Sequence, residues 1–178
     1  MLMLKMSKSL FNLPIISLRL NGSIGIAEQP IVNPHNLKII GWWCSVPKGK
    51  TKHVLLAEEV REVTAAGLAV NDEDAVCEPE DLVRDHEVLD INYQVVDKPV
   101  RTKRQKIGKV SDFSYNDGWF IQKLYVTKSL IKVFTTEDTL IIDRNQILEV
   151  TDKHILVRDT EIKATETELA AAVNPAIP

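Results

Sequence analysis

Apolar residues recur along this chain mostly at a period of two, in short runs rich in Val, Ile and Leu. Such runs occupy 14–20, 24–32, 37–46, 53–57, 60–64 and 67–71. They return at 94–100, 106–115, 119–128, 129–135, 139–143, 146–151 and 154–158. Alternation over a few residues marks strands with one buried face. The runs are separated by turn-forming groups: Asn21-Gly22, Asn33-Pro34-His35-Asn36, Pro47-Lys48-Gly49 and Asn116-Asp117-Gly118. The last is the sharpest signal, because Asp and Gly tolerate the positive φ of a tight hairpin. It predicts a hairpin joining 106–115 to 119–128, with Pro34-His35-Asn36 in the equivalent place upstream. The pattern as a whole predicts an all-β protein.

The two sets of runs repeat one another. Glu62-Val63-Thr64, followed by Leu68, Val70 and Asp72, returns 87 positions later as Glu149-Val150-Thr151, followed by Ile155, Val157 and Asp159. Ile24-Gly25 returns 83 positions later as Ile107-Gly108. Order and spacing together predict two copies of one small β unit. A glycine inside a strand marks a bulge, a sharp bend or a close backbone approach, so Gly25 and Gly108 are read as structural corners. Between the copies, residues 71–87 hold eight acidic residues and one arginine. Pro79 is placed to start a short helical turn there, with Glu80 and Asp81 at its positive end. The division expected is a disordered start at 1–9, a first domain at 10–72, an acidic and partly helical linker at 73–87, a second domain at 88–160 and a flexible tail at 161–178.

Once the repeat is laid out, the second copy resembles a PRC-barrel domain. The resemblance rests on Ile107-Gly108-Lys109-Val110-Ser111-Asp112-Phe113, then 119–126, Leu140-Ile141-Ile142, 147–150 and 155–157. The first copy is a diverged version, with Ile24-Gly25-Ile26-Ala27 in place of the glycine motif. The family is a small six-stranded β-barrel, found in a photosynthetic reaction-centre subunit and in a ribosome maturation factor. The resemblance therefore implies two tandem six-stranded barrels and a non-enzymatic, cytoplasmic interaction or adaptor module. The matched residues are structural, so no catalytic site is carried over.

Composition narrows the chemistry. The 178 residues are 44% apolar and 26% charged, with a net charge of −3 at pH 7. A dedicated nucleic-acid binder would usually be basic overall. Two cysteines fit a reducing compartment better than a disulfide framework. Lys5, Lys8, Asn12, Pro14 and Arg19 interrupt the apolar start, so it does not read as a signal peptide. No run reaches the ~20 apolar residues of a membrane helix. The scattered His and Cys lack the spacing of a metal site, and no Gly-x-Ser-x-Gly elbow or phosphate-cradling glycine loop occurs. No catalytic residue, metal or cofactor is expected.

Two features stand out as binding candidates. Trp42 and Trp43 are adjacent on one strand, so they point to opposite faces, and one must lie outside the barrel. With Trp119 they are the candidates for holding a protein partner. The second feature is the run 98–109, which carries six positive charges and no acid. Lys98, Arg101, Lys103, Arg104 and Lys106 are its candidates for gripping RNA phosphates, with Tyr93 and Tyr115 close in sequence to stack bases. The ribosome- or RNA-associated role is the alternative to the adaptor, and self-association through barrel edges is a third.

Overall fold

The computed structural model describes residues 3–128 and 139–159. The strand expected at 129–135 and the tail expected at 161–178 lie outside the described residues. The fold is all-β, as the alternation predicts. Its strands are β1 (Lys5–Met6), β2 (Leu13–Ser17), β3 (Gly22–Asn33), β4 (Lys38–Ser45), β5 (His53–Leu56), β6 (Val60–Thr64), β7 (Gly67–Val70) and β8 (Val76–Cys77). A six-residue helix, α1 (His86–Ile91), follows. Then come β9 (Pro99–Arg101), β10 (Lys106–Tyr115), β11 (Ile121–Lys128), β12 (Thr139–Asp143), β13 (Ile147–Val150) and β14 (Ile155–Val157).

The chain divides into two compact units. Unit 1 holds residues up to Tyr93 together with Tyr115–Phe120, and unit 2 holds the rest. The strands of unit 1 run in the order β6-β7-β2-β3-β4-β5-β8, and those of unit 2 in the order β12-β11-β10-β9-β14-β13. Each forms a curled half-barrel sheet. Read from the other end, unit 2 repeats the first six strands of unit 1. In both units the last strand of the repeat lies parallel to the first, β7 against β2 and β14 against β9. In both, a 3-10 turn (Ala57–Glu59 and Arg144–Gln146) leads into the closing hairpin.

The repeated residues have matching physical jobs. A Cβ on Gly25 would lie 2.5 Å from the carbonyl oxygen of Ser45, and one on Gly108 would strike the carbonyl of Thr127. Each glycine thus lets the neighbouring strand end cross close to its backbone. Leu68, Val70, Ile155 and Val157 are fully buried. The Thr64 hydroxyl donates to the Gly67 carbonyl (3.2 Å) and accepts from the Ala66 amide (3.1 Å). Thr151 does the same with the His154 carbonyl (2.9 Å) and the Lys153 and His154 amides (3.3 and 3.0 Å). Each threonine closes its turn by bonding local backbone.

Three features depart from the expected layout. The chain start is ordered from Lys5: a 3-10 turn at Ser7–Leu10 buries Ser7 and Leu10, and Lys5 pairs with Asp117 at 2.9 Å. Leu10 supplies the apolar burial that fixes it. The segment read as a linker contributes β8, whose Val76 and Cys77 pair with Leu55 and Val54 of β5. This adds a seventh strand to unit 1. Val88 and Leu89 of α1 then pack with Ile31 and Val54 in one buried cluster, joined by Trp43, Leu56 and Leu82. Most acidic residues of this stretch face water while its few apolar ones anchor it, so its density of charge concealed a packed segment.

The hairpin turns also differ in detail. At 116–120 the Asn116 amide donates to the Phe120 carbonyl and the Trp119 amide to the Asn116 carbonyl, both at 3.0 Å. The residue with positive φ is Trp119 (66°), not Gly118. In the equivalent turn of the first repeat it is Leu37 (φ 52°), 82 positions earlier. The three-residue loop expected to end on Gly in the left-handed region ends here on a large apolar residue. That conformation costs roughly 1–2 kcal/mol for a non-glycine residue and persists only where packing enforces it.

Candidate functional site

Both tryptophans of β4 are covered within unit 1. Trp42 is fully buried, and its indole N–H donates to the Leu10 carbonyl at 3.0 Å. Trp43 faces the opposite side, as strand geometry requires. That side is roofed by α1. Trp43 is half-buried against Ile31, Val54, Val88 and Leu89, and its Nε1 donates to the Asn92 side chain at 3.2 Å. Asn92 ends α1 in the left-handed region (φ 44°), which aims its side chain back at the indole.

Trp119 joins Trp42 rather than Trp43. Their rings meet edge to face at 5.0 Å, and Tyr115 stacks on Trp119 at 5.8 Å. The Trp119 carbonyl accepts from the Ile39 amide at 2.7 Å, and Lys38 Nζ lies 5.6 Å from the centre of the Phe120 ring. Trp119 also lines a cavity of about 430 Å³ with Ile40, Leu56, Val60, Lys38 and Asp85. The aromatic candidates are largely taken up in packing, and the half-buried Trp119 also lines this cavity. Tyr93 and Tyr115 are buried, at 4% and 2% exposure, so neither offers a free face for a base.

The basic run sits where the pattern places it, on the β9–β10 hairpin. Thr102 is buried and organises the turn: its hydroxyl accepts from the Arg104 and Gln105 amides, both at 3.2 Å, and its amide donates to the Gln105 carbonyl at 2.9 Å. Arg101, Lys103, Arg104, Lys106 and Lys109 are exposed around it. Lys98 is half-buried and donates to the Asp152 carbonyl at 2.8 Å, while Arg104 pairs loosely with Asp159 at 3.8 Å. Lys106 stands directly across the ladder from Arg101. Like charges opposite one another destabilise a strand pair. Lys103, Lys106 and Lys109 form no ion pair with described residues.

The equivalent hairpin of unit 1, between β2 and β3, carries the opposite chemistry. Its tip exposes Leu18 (58%) and Leu20 (56%). The sequence showed these residues as the end of a strand run, and their exposure became visible only when β2 ended at Ser17.

The two cysteines are free. Burial pushes the Cys44 thiol up to about 12, and burial also raises that of Cys77, which is less deeply covered. Among the described residues, no group of His, Cys, Asp and Glu is arranged to hold a metal ion, and no helix is long and apolar enough to cross a membrane. No family model matches the chain, and no curated protein matches its sequence.

Proposed function

We propose that this protein is a non-enzymatic, cytoplasmic adaptor built from two PRC-barrel-like repeats, which binds an acidic segment of a protein partner through the basic β9–β10 hairpin. The observation that carries this reading is Lys106 set opposite Arg101, with Lys103, Arg104 and Lys109 exposed around a turn pinned by Thr102. A repulsive pair held on an ordered hairpin is relieved when an anion binds across it. Trp42, Trp43 and Trp119, the other candidates, are spent largely on packing within unit 1.

A protein partner is favoured over single-stranded RNA because Tyr93 and Tyr115 are buried, whereas base stacking requires an open aromatic face. The test is fluorescence anisotropy of the full chain against a labelled glutamate-rich peptide and a labelled uridine oligonucleotide. The peptide should bind, and reversing Arg101, Lys103 and Arg104 to Glu should weaken it by tenfold or more. That follows from on the order of 0.2–1 kcal/mol for each exposed ion pair removed, and as much again for each repulsion introduced. Tighter binding of the oligonucleotide with a steep salt dependence would move the reading to nucleic acid. Unchanged peptide binding after reversal would remove the hairpin from it.

A further inference from the structure

Beside the apolar hairpin tip of unit 1 lies a cavity of about 620 Å³. Its walls include Leu20, Ile24, Val46 and Val76, with Lys48 and Glu73 among the polar groups. The volume falls within the range of ligand sites, which are mostly apolar with a few convergent polar groups.

The tip is held over this cavity. The Leu18 and Arg19 amides donate to the carbonyls of Val70 and Asn71 at 2.9 and 3.0 Å, extending the β2–β7 ladder into the turn. The Leu20 amide donates to the Ser17 hydroxyl at 3.2 Å. Arg19 Nη2 lies 3.2 and 3.1 Å from the two carboxylate oxygens of Glu73. The leucines are thus presented by a bonded backbone. Exposing two leucines on an ordered tip costs burial that a closed loop would have kept, and contiguous exposed apolar surface marks an interaction site.

Charge selects the occupant. Arg19 neutralises Glu73, while Lys48 is exposed and forms no ion pair with described residues. The cleft therefore combines apolar walls with Lys48, a lysine that no described carboxylate neutralises, and the His53 imidazole. We propose that it docks a short segment of a partner polypeptide carrying apolar side chains and one carboxylate. Preformed backbone lowers the ordering cost of such binding. The site uses a different hairpin from the basic one, so the two readings stand or fall separately. Two copies of one fold would then offer two binding surfaces of different chemistry.

The test is NMR titration of the full chain with two capped tetrapeptides, three leucines with one glutamate and three leucines with one lysine. The glutamate peptide should shift signals of Leu20, Ile24, Val46 and Val76, with the lysine peptide roughly three- to fivefold weaker, as for an exposed ion pair. Lys48→Glu should invert that preference. Leu20→Ser, at an exposed position, should abolish saturable shifts while Ile39 and Trp42 signals stay in place. Absence of shifts at the four residues with both peptides would overturn the proposal. So would equal affinity for the two peptides, or shifts confined to Arg101–Lys106.

Discussion

The left-handed backbone at Trp119 gives a prediction in which two energies separate cleanly. Trp119→Ala removes the ring and keeps a Cβ at φ 66°. Trp119→Gly removes the ring and the Cβ together. Both lose the edge-to-face pair with Trp42 at 5.0 Å and the stack on Tyr115 at 5.8 Å. Aromatic pairs contribute about 0.5–1.5 kcal/mol each beyond burial, so the alanine variant should lose about 2–4 kcal/mol once some burial is added. The Ile39 amide bond to the Trp119 carbonyl is made by backbone and survives in both. The variants then differ only in the conformational term. In ordinary strand or helix positions glycine is the worse by roughly 0.5–1 kcal/mol. At a left-handed position the order reverses, by about 1 kcal/mol. Urea denaturation followed by circular dichroism resolves this, since 1 kcal/mol moves the midpoint by about 0.5 M at an m-value near 2 kcal/mol/M. A glycine variant no more stable than the alanine variant would refute the claim that packing enforces strain at this turn.

Three other outcomes follow from the geometry. Gly108→Val should destabilise by about 1–3 kcal/mol or more, because the new Cβ meets the Thr127 backbone rather than a movable side chain; Gly25→Val should cost about as much, and an unchanged melting temperature in either would end the close-approach account. Thiol labelling at pH 8 should modify Cys77 well before Cys44, whose thiol burial pushes up to about 12 and keeps protonated; since the thiolate is the nucleophile, labelling of Cys44 should quicken as pH rises, and equal rates at pH 8 would contradict the burial of Cys44. Thr64→Val and Thr151→Val should each cost about 1 kcal/mol by releasing the turn bonds, and double that together if the two repeats are independent, as paired melts of single and double variants would show.

The strands and the repeat could be read without coordinates. Period-two alternation follows from the pleat, so the runs of β3, β4, β10 and β11 were visible in the order of residues alone. Spacing exposed the repeat, because Gly25 and Gly108 answer the same close approach and Thr64 and Thr151 the same turn. The basic hairpin was legible because its charges are contiguous in the chain. Burial was not legible, because it is decided by residues distant in sequence. Alternation put one of Trp42 and Trp43 outside the barrel without saying which; α1, some 43 residues on, covers Trp43, and Trp42 finds its hydrogen-bond partner in Leu10, 32 residues earlier. The acidic stretch looked like a linker because its carboxylates outnumber the few apolar residues that anchor it, Val76 on β5 and Leu82 on the buried cluster. The positive φ moved from Gly118 to Trp119 because stacking on Tyr115 and the edge-to-face contact with Trp42 outweigh the local preference of a turn for glycine. Local patterns specify which residues form strands, and long-range packing selects which of their side chains remain available to bind.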